Sequence, residues 1–175
     1  MEYRPATRAD IEAIAALHAD SWRRNYRGTY SDAFLDGPVL ADREKVWSER
    51  LTNPRPHHIT IVADDGGVIG LAHTKLHEDE RWGALLDNLH VAHAEQRRGI
   101  GAELLSRTAA AVIERAPGSG LYLWVLEQNT RAQAFYDAMS GTCVGKEVLV
   151  ASGTGEQVTS LRYVWTDPGV LLARG

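Results

Sequence analysis

The stretch EQRRGIGAELL, residues 95–105, decides how the rest of the chain is read. Just before it, ALLDNLHV at 84–91 has the apolar content of a strand. From Gly99 the period changes. Gly101, Leu104, Leu105, Thr108, Ala109 and Val112 share one helical face, opposite Glu103, Ser106, Arg107 and Glu114. A strand is thus handed to a helix across Gly99 and Gly101. Glycines there remove Cβ atoms and expose backbone N–H groups that the first helical turn leaves unpaired. With the positive end of the helix dipole, such a turn can hold a phosphate or diphosphate. Gln96, Arg97 and Arg98 stand beside it and can add donors or charge. The same letters also fit a tight turn that binds nothing.

Other phosphate motifs fail on their letters. A dinucleotide fingerprint needs a third glycine three residues after the second, and that position is Leu104. GTCVGKE at 141–147 has three residues between its glycines where a P-loop has four, and Glu147 stands where Ser or Thr would hold magnesium. No metal site is expected either. His73 and His77 fall on a strand and the loop after it, and His90-x-x-His93 and His57-His58 lack partnering cysteines or patterned carboxylates.

Outward from the glycine turn, the chain reads as one α/β domain over 1–175, with its core at about 3–166. Thr7 and Asp10 make a capping box for a helix whose face carries Ile11, Ile14, Ala15, His18 and Trp22, with His18 read as a core or boundary residue. RRNYRGTYSD interrupts, and a second helical region spans about 41–51. After the break NPRP at 53–56 come ITIVA and GVIGLAHTKL, separated by the turn Asp64-Asp65-Gly66-Gly67, with HEDERWG as a solvated loop. Pro117-Gly118-Ser119-Gly120 ends the central helix; LYLWVLE is a strand, and Asn129 caps a helix bearing Ala132, Phe135, Tyr136 and Met139. TCVGKEVLV and QVTSLRYVW, around Gly153 and Gly155, read as a closing hairpin. The order of elements suggests α/β with a mixed sheet.

Composition bounds the function. A formal net charge of -4, with 24% charged residues, argues against nucleic acid as a partner. Nothing approaches a membrane span or a signal-peptide apolar run. A single cysteine, Cys143, excludes an intrachain disulfide and points to a reducing, cytoplasmic setting; Cys143 itself reads as a small buried residue in a strand.

Val91, then Q-R-R-G-I-G at 96–101 and Ala102, resembles the acyl-coenzyme A signature of the GNAT superfamily of N-acetyltransferases, Gln/Arg-x-x-Gly-x-Gly/Ala. Downstream, LYLWV, Asn129 and AFYDA, with Tyr136 seven residues after the Asn, keep the family's order and spacing. The strong likeness covers residues 84–141. One departure is visible: where many members have Tyr-x-x-x-Gly-Phe, this chain has Tyr136-Asp-Ala-Met-Ser140-Gly141-Thr142, one residue longer and without the Phe.

The resemblance implies a mixed, mostly antiparallel central sheet of about seven strands flanked by about four helices, acetyl-CoA as cosubstrate, and direct transfer of its acetyl group to a primary amine. It implies that the strand ending at Val91 splays from the strand around Leu123, and that backbone groups of Leu89 and Val91 bond the pantetheine and acetyl end. Amides of Arg98, Gly99, Ile100, Gly101 and Ala102 would cradle the pyrophosphate, Asn129 would contact the cosubstrate, and Tyr136 would protonate the leaving thiolate. A lysine-like amine, pKa near 10.4, costs roughly 4–5 kcal/mol to deprotonate at neutral pH, so a base is needed. Asp87, expected on the same strand face as Leu89 and Val91, is a candidate through water, with His90 expected on the other face. Trp22, Tyr26 and Tyr30 can wall an acceptor pocket, with nearby arginines recognising a carboxylate or phosphate. The acceptor is a small-molecule or peptide amine; a homodimer is expected on family grounds alone. The alternative function is a non-catalytic acyl-CoA-binding sensor or partner module.

Overall fold

The computed structural model describes residues 1–151 and 155–174. Seven strands form one sheet: β1 (Glu2–Pro5), β2 (His58–Asp64), β3 (Val68–Asp79), β4 (Gly83–Val91), β5 (Leu121–Leu126), β6 (Thr142–Val150) and β7 (Gln157–Trp165). Among the described residues five α-helices flank it: α1 (Ile11–Asn25), α2 (Asp32–Asp36), α3 (Val39–Thr52), α4 (Ile100–Arg115) and α5 (Thr130–Ala138). The spatial order is β1-β2-β3-β4-β5-β7-β6, and every neighbouring pair is antiparallel except β4 with β5. A parallel pair needs a long crossover, and α4 is that crossover.

Two faces of the sheet are covered by different helices. On one, α4 buries Leu104, Leu105, Thr108, Ala109 and Val112 of the predicted stripe, with Ile100 buried at its start and Gly101 only half-buried. Ile100, Leu104, Leu105, Ala109 and Val112 meet Leu86, Leu121, Leu123 and Tyr136 in the main core. Gly70 of β3 permits the approach, since a Cβ there would lie 3.1 Å from both Ile100 Cγ2 and Leu104 Cδ1. On the other face α1 and α3 pack Ile14, Ala15, Leu17 and Trp47 over Val62 and Leu71. Fully burying a Leu or Ile contributes roughly 1.5–3 kcal/mol, so both helices are held by their apolar faces more than by intrinsic helicity.

Several details differ from the expected layout, each for a local reason. Tyr3 and Arg4 belong to edge strand β1, where Arg4 spans Asp10 at 2.8 Å and Asp64 at 2.6 Å. Asp10 does reach back, accepting from the Thr7 N–H at 2.7 Å, but it caps a 3-10 turn that then opens into α1. Within the expected interruption, Ser31 caps α2 by accepting from Phe34 N–H. The solvated loop after Leu76 is shorter than expected. β3 runs to Asp79, whose Oδ1 accepts from the amides of Arg81 and Trp82 at 2.8 Å each, so His77 lies in the strand. Cys143 is in a strand but exposed, because β6 is the sheet's outer edge and all of it except Leu149 is open to solvent. β6 and β7 pair as the closing hairpin; Gly153 lies outside the described residues.

Between α1, α3 and the sheet lies a polar interior. His18 is fully buried, and its Nδ1 accepts the Trp47 indole N–H at 3.0 Å. His73 of β3 is 1% exposed, with Thr60 Oγ1 2.7 Å from its Nδ1. Burial holds the His18 pKa well below the usual value and pushes His73 down to about 3. These folded-state values are depressed, so the unfolded chain binds protons first as pH falls. The full contribution is present above about pH 6.5 and is lost on acidification through 6.5 toward 3. The urea unfolding free energy should therefore fall between pH 7 and pH 5 by up to about 2 kcal/mol per such histidine, and His73→Gln should flatten that slope. A pH-independent midpoint over this window would contradict the buried, neutral assignment.

Candidate active site

Strands β4 and β5 are paired only at Ala84 with Leu121 and Leu85 with Tyr122. Beyond those pairs they part. The antiparallel ladder of β3 and β4 determines what β4 offers to the gap. Ala92 N–H donates to Ile69 O at 2.8 Å, and in this register the hydrogen-bonded partners are every second residue. His90 and Asn88 therefore bond to β3, while the N–H and C=O groups of Leu89 and Val91 point away, into the gap. Gln96 Nε2 donates to the Val91 carbonyl at 3.2 Å from that side. The same alternation, set by Glu127 N–H donating to Thr159 O at 3.0 Å, turns the Trp124 backbone of β5 toward the gap. The gap opens into a cavity of about 530 Å³, within the rough 300–1,000 Å³ range of small-molecule sites.

The glycine turn forms one end of this cavity. Gly99 caps α4 in the left-handed region, φ 81°, and Arg97 shares that region at φ 67°. The first helical hydrogen bond runs from Glu103 N–H to Gly99 O, at 3.0 Å. Among the described residues, the amides of Gly99, Ile100, Gly101 and Ala102 have no acceptor, and all four residues line the cavity. Phe135 of α5 packs beside Gly101, where an added Cβ would make only an ordinary contact, 3.5 Å from Phe135 Cζ. Gln96 and Arg97 also line the cavity. Arg98, expected beside the diphosphate, does not line the cavity: its side chain pairs with Glu95 and lies 3.9 Å from Asp65.

Asn129 and Tyr136 come to the same cavity from α5. Asn129 Oδ1 caps the helix by accepting from Ala132 N–H at 3.2 Å, which leaves its Nδ2 without a partner among the described residues. Tyr136 is 8% exposed; burial raises its phenol above the ordinary value, so it is protonated at neutral pH. The longer turn after it is closed by Ser140 at φ 64° and by Gly141 N–H donating to Tyr136 O at 2.9 Å. Trp165 of β7 packs on that turn, and its Nε1 donates to Met139 O at 2.9 Å.

Three expectations need correction. Asp87 does not share a face with Leu89 and Val91. Opposite His73 and Thr74 the register of β4 shifts, leaving Asp87 as the extra residue of a β-bulge. Leu86, Leu89 and Val91 then face α4, whereas Asp87, Asn88 and His90 all face α1 and α3. Arg50 of α3 shows this directly, donating to Asp87 Oδ2 at 2.6 Å and to Asn88 Oδ1 at 2.7 Å. Burial would raise the Asp87 carboxyl, but Arg50 and then Lys75, 3.5 Å away, outweigh it and hold the pKa low.

The second correction concerns the aromatic wall. Tyr26 lines the cavity, but Trp22 and Tyr30 stack on each other at 4.8 Å in a small core behind it. The third concerns the neighbouring arginines, which are locally engaged: Arg24 with Asp20, Arg27 with Asp32 and Asp36, and Arg23 with Leu35 O. The sequence reading did not single out Ser21, Asn25 or Arg50, and took up His90 only as a metal ligand and for its strand face. Alternation put His90 on the face where it lies but misplaced Asp87, although Asp-Asn inside an apolar strand was a local sign of irregular pairing.

Residues 13–141 match the model of the acetyltransferase (GNAT) family, and that span contains the glycine turn, the bulged strand and α5. The chain belongs to the GNAT family. It is 29% identical over 172 residues to YuaI of Bacillus subtilis, an uncharacterized N-acetyltransferase, covering 96% of this chain and 94% of that one. It is 30% identical over 141 residues to a probable N-acetyltransferase of Mycobacterium tuberculosis, covering 77% and 75%. The GNAT fold recurs in the PaiA N-acetyltransferase of Thermoplasma acidophilum, solved with coenzyme A, at TM-score 0.63 and 21% identity over 91% of this chain and 96% of that one. NAA60 of Arabidopsis thaliana, solved with acetyl-CoA, matches at TM-score 0.68 and 20% identity over 94% and 97%.

The two glycines of the GNAT turn act differently, and substitution should separate them. Gly99→Ala is expected to cost about 1–2 kcal/mol, because its left-handed backbone penalises any Cβ even with nothing within 4 Å. Gly101→Ala sits in the helix with its nearest neighbour at 3.5 Å, and should be neutral or stabilising by up to about 1 kcal/mol. Urea unfolding of both variants checks this; equal effects would contradict the turn.

Proposed function

We propose that this GNAT protein is an N-acetyltransferase that moves the acetyl group of acetyl-CoA to a primary amine by direct attack in a ternary complex. The observation that carries the reading is the parting of β4 from β5, with the backbone of Leu89 and Trp124 and the N–H of Val91, unpaired across the gap, facing one cavity that also holds the free amides of the glycine turn and the Tyr136 phenol. A helix-start anion cradle and an open strand edge in one cavity suit a long cosubstrate with a diphosphate at one end and a thioester at the other. Its chemical contribution is an acetyl group already activated on sulfur.

The protein's own groups supply the rest. Amides at Gly99, Ile100, Gly101 and Ala102 hold the diphosphate, with Gln96 and Arg97 beside them. A β4 N–H, at Leu89 or Val91, bonds the thioester oxygen and stabilises the charge that grows there as the amine attacks. Tyr136, neutral because it is buried, gives its proton to the departing sulfur. Asp87 remains ionised between Arg50 and Lys75. Those cations make it a weaker proton acceptor, so its part is to hold an incoming ammonium or the water beside it. The acceptor amine enters along Tyr26 and Asn25 of the α1 wall.

The test is thiol release from acetyl-CoA across a panel comprising an alkylamine, an arylalkylamine, a polyamine and a peptide with a free N-terminus. At least one should give release. Tyr136→Phe should then lower kcat roughly ten- to a thousandfold with coenzyme A affinity nearly unchanged by calorimetry. Coenzyme A binding with no release for any amine would instead favour a non-catalytic sensor.

A further inference from the structure

We infer that His90 is the group that takes the proton from the attacking amine, and that Ser21 fixes its ring so that Nε2 is the basic nitrogen presented to the cavity. The inference rests on the acetyl-transfer reading above and adds a residue to it.

Alternation from Leu89 and Val91 puts His90 on the acceptor side, and the β-bulge adds Asp87 to that face. Asp87, Asn88 and His90 all line the cavity together with Ser21 and Tyr26. The imidazole is anchored at one nitrogen only. Ser21 Oγ of α1 lies 2.9 Å from His90 Nδ1, and His90 Nε2 has no partner among the described residues. Asn25 Nδ2 donates to Ser21 O at 2.9 Å and approaches Ser21 Oγ at 3.4 Å, bracing the serine from one helical turn away. With Ser21 Oγ accepting from Nδ1–H, the lone pair is left on Nε2.

The neighbouring groups exclude the other candidates. His18 stacks against His90 with ring centroids 4.5 Å apart. Its Nδ1 accepts from the Trp47 indole, which can only donate, so the neutral His18 ring carries its proton on Nε2, a buried atom with no partner. His18 therefore positions His90 and has no free lone pair to offer. Asp87 is tied to Arg50 and Lys75. The groups acting on His90 are thus Arg43 of α3, which opposes a positive ring, Asp87 of β4, which favours one, and the neutral His18 of α1. Burial, with Arg43 second, lowers the imidazole to about 4, so the base is free at neutral pH. A weak base suffices at this stage, because the amine nitrogen becomes strongly acidic as its bond to the carbonyl carbon forms.

The step balances as follows. An acceptor that arrives as an ammonium first loses one proton to solvent. The neutral nitrogen then bonds to the acetyl carbon as the carbon–sulfur bond breaks. His90 Nε2 takes one proton from that nitrogen, and Tyr136 gives one to sulfur. The imidazolium proton returns to the Tyr136 oxygen through cavity water, leaving amide, thiol and the resting enzyme.

Two measurements on the full chain test the assignment. Long-range proton–nitrogen NMR of the histidine rings should show His90 protonated on Nδ1 with Nε2 bare; a proton on Nε2 would overturn the proposal without any acceptor being needed. Next, with acetyl-CoA and the best amine of the panel, His90→Ala should lower kcat roughly a hundredfold or more while coenzyme A affinity holds. Added imidazole should restore turnover in proportion to its unprotonated fraction, a response that a packing role would not give. His90→Gln, nearer in shape, should fold as the wild type and be equally slow. Wild-type turnover in either variant, or no rescue by imidazole, would overturn the role of His90 alone. Coenzyme A binding with no release by the wild type for any amine would overturn the acetyl-transfer reading and this inference together.

Discussion

A sheet normally consumes its own backbone hydrogen bonds, and the interruption of that rule between β4 and β5 organises this molecule. After two paired residues the strands separate. An open ladder edge inside a protein leaves polar groups without partners unless something else supplies them. Here the unpaired edge is lined on one side by the start of α4 and on the other by α5, and it opens to a cavity rather than to core. The parallel β4–α4–β5 connection makes the arrangement possible. It brings the helix N-terminus to the end of β4, so that unpaired amides of helix and strand face the same space.

A single extra residue gives the two faces of β4 different work. With Asp87 bulged, the apolar residues Leu86, Leu89 and Val91 stay with the main core under α4. Asp87, Asn88 and His90 turn to α1 and α3, where Arg50, Ser21 and His18 meet them. Without the bulge, either Leu86 or the Leu89–Val91 pair would leave the core. The polar interior is consequently tied to the same irregularity that shapes the cavity, and its buried neutral histidines link fold stability to pH from within the site.

Much of this was legible in the letters, for reasons that differ by position. The change from a strand run to a 3.6-residue stripe at Gly99 located the helix start and its free amides, because both depend on local backbone chemistry. Asn129 was readable as a cap for the same reason, and Tyr136 through its spacing from that cap. The bulge was not readable, since period-two alternation assumes regular pairing and only the register with β3 reveals the extra residue. That one slip misplaced Asp87, while His90 lies on the face that alternation gave it. Trp22 and Tyr30 were ambiguous because a helix face that ends at a cavity and one that ends in core carry the same letters. α2 was missed because five residues are too few to show a period. Cys143 was misjudged because exposure of β6 follows from the sheet order, which no local pattern specifies.

The most direct measurement is a crystal structure of the full chain with acetyl-CoA. The account predicts a pyrophosphate within hydrogen-bonding distance of the Gly99, Ile100, Gly101 and Ala102 amides, the pantetheine arm along the Leu89 and Val91 backbone, and the sulfur beside the Tyr136 hydroxyl. A ligand bound elsewhere, or β4 and β5 zipped together across the gap, would contradict it.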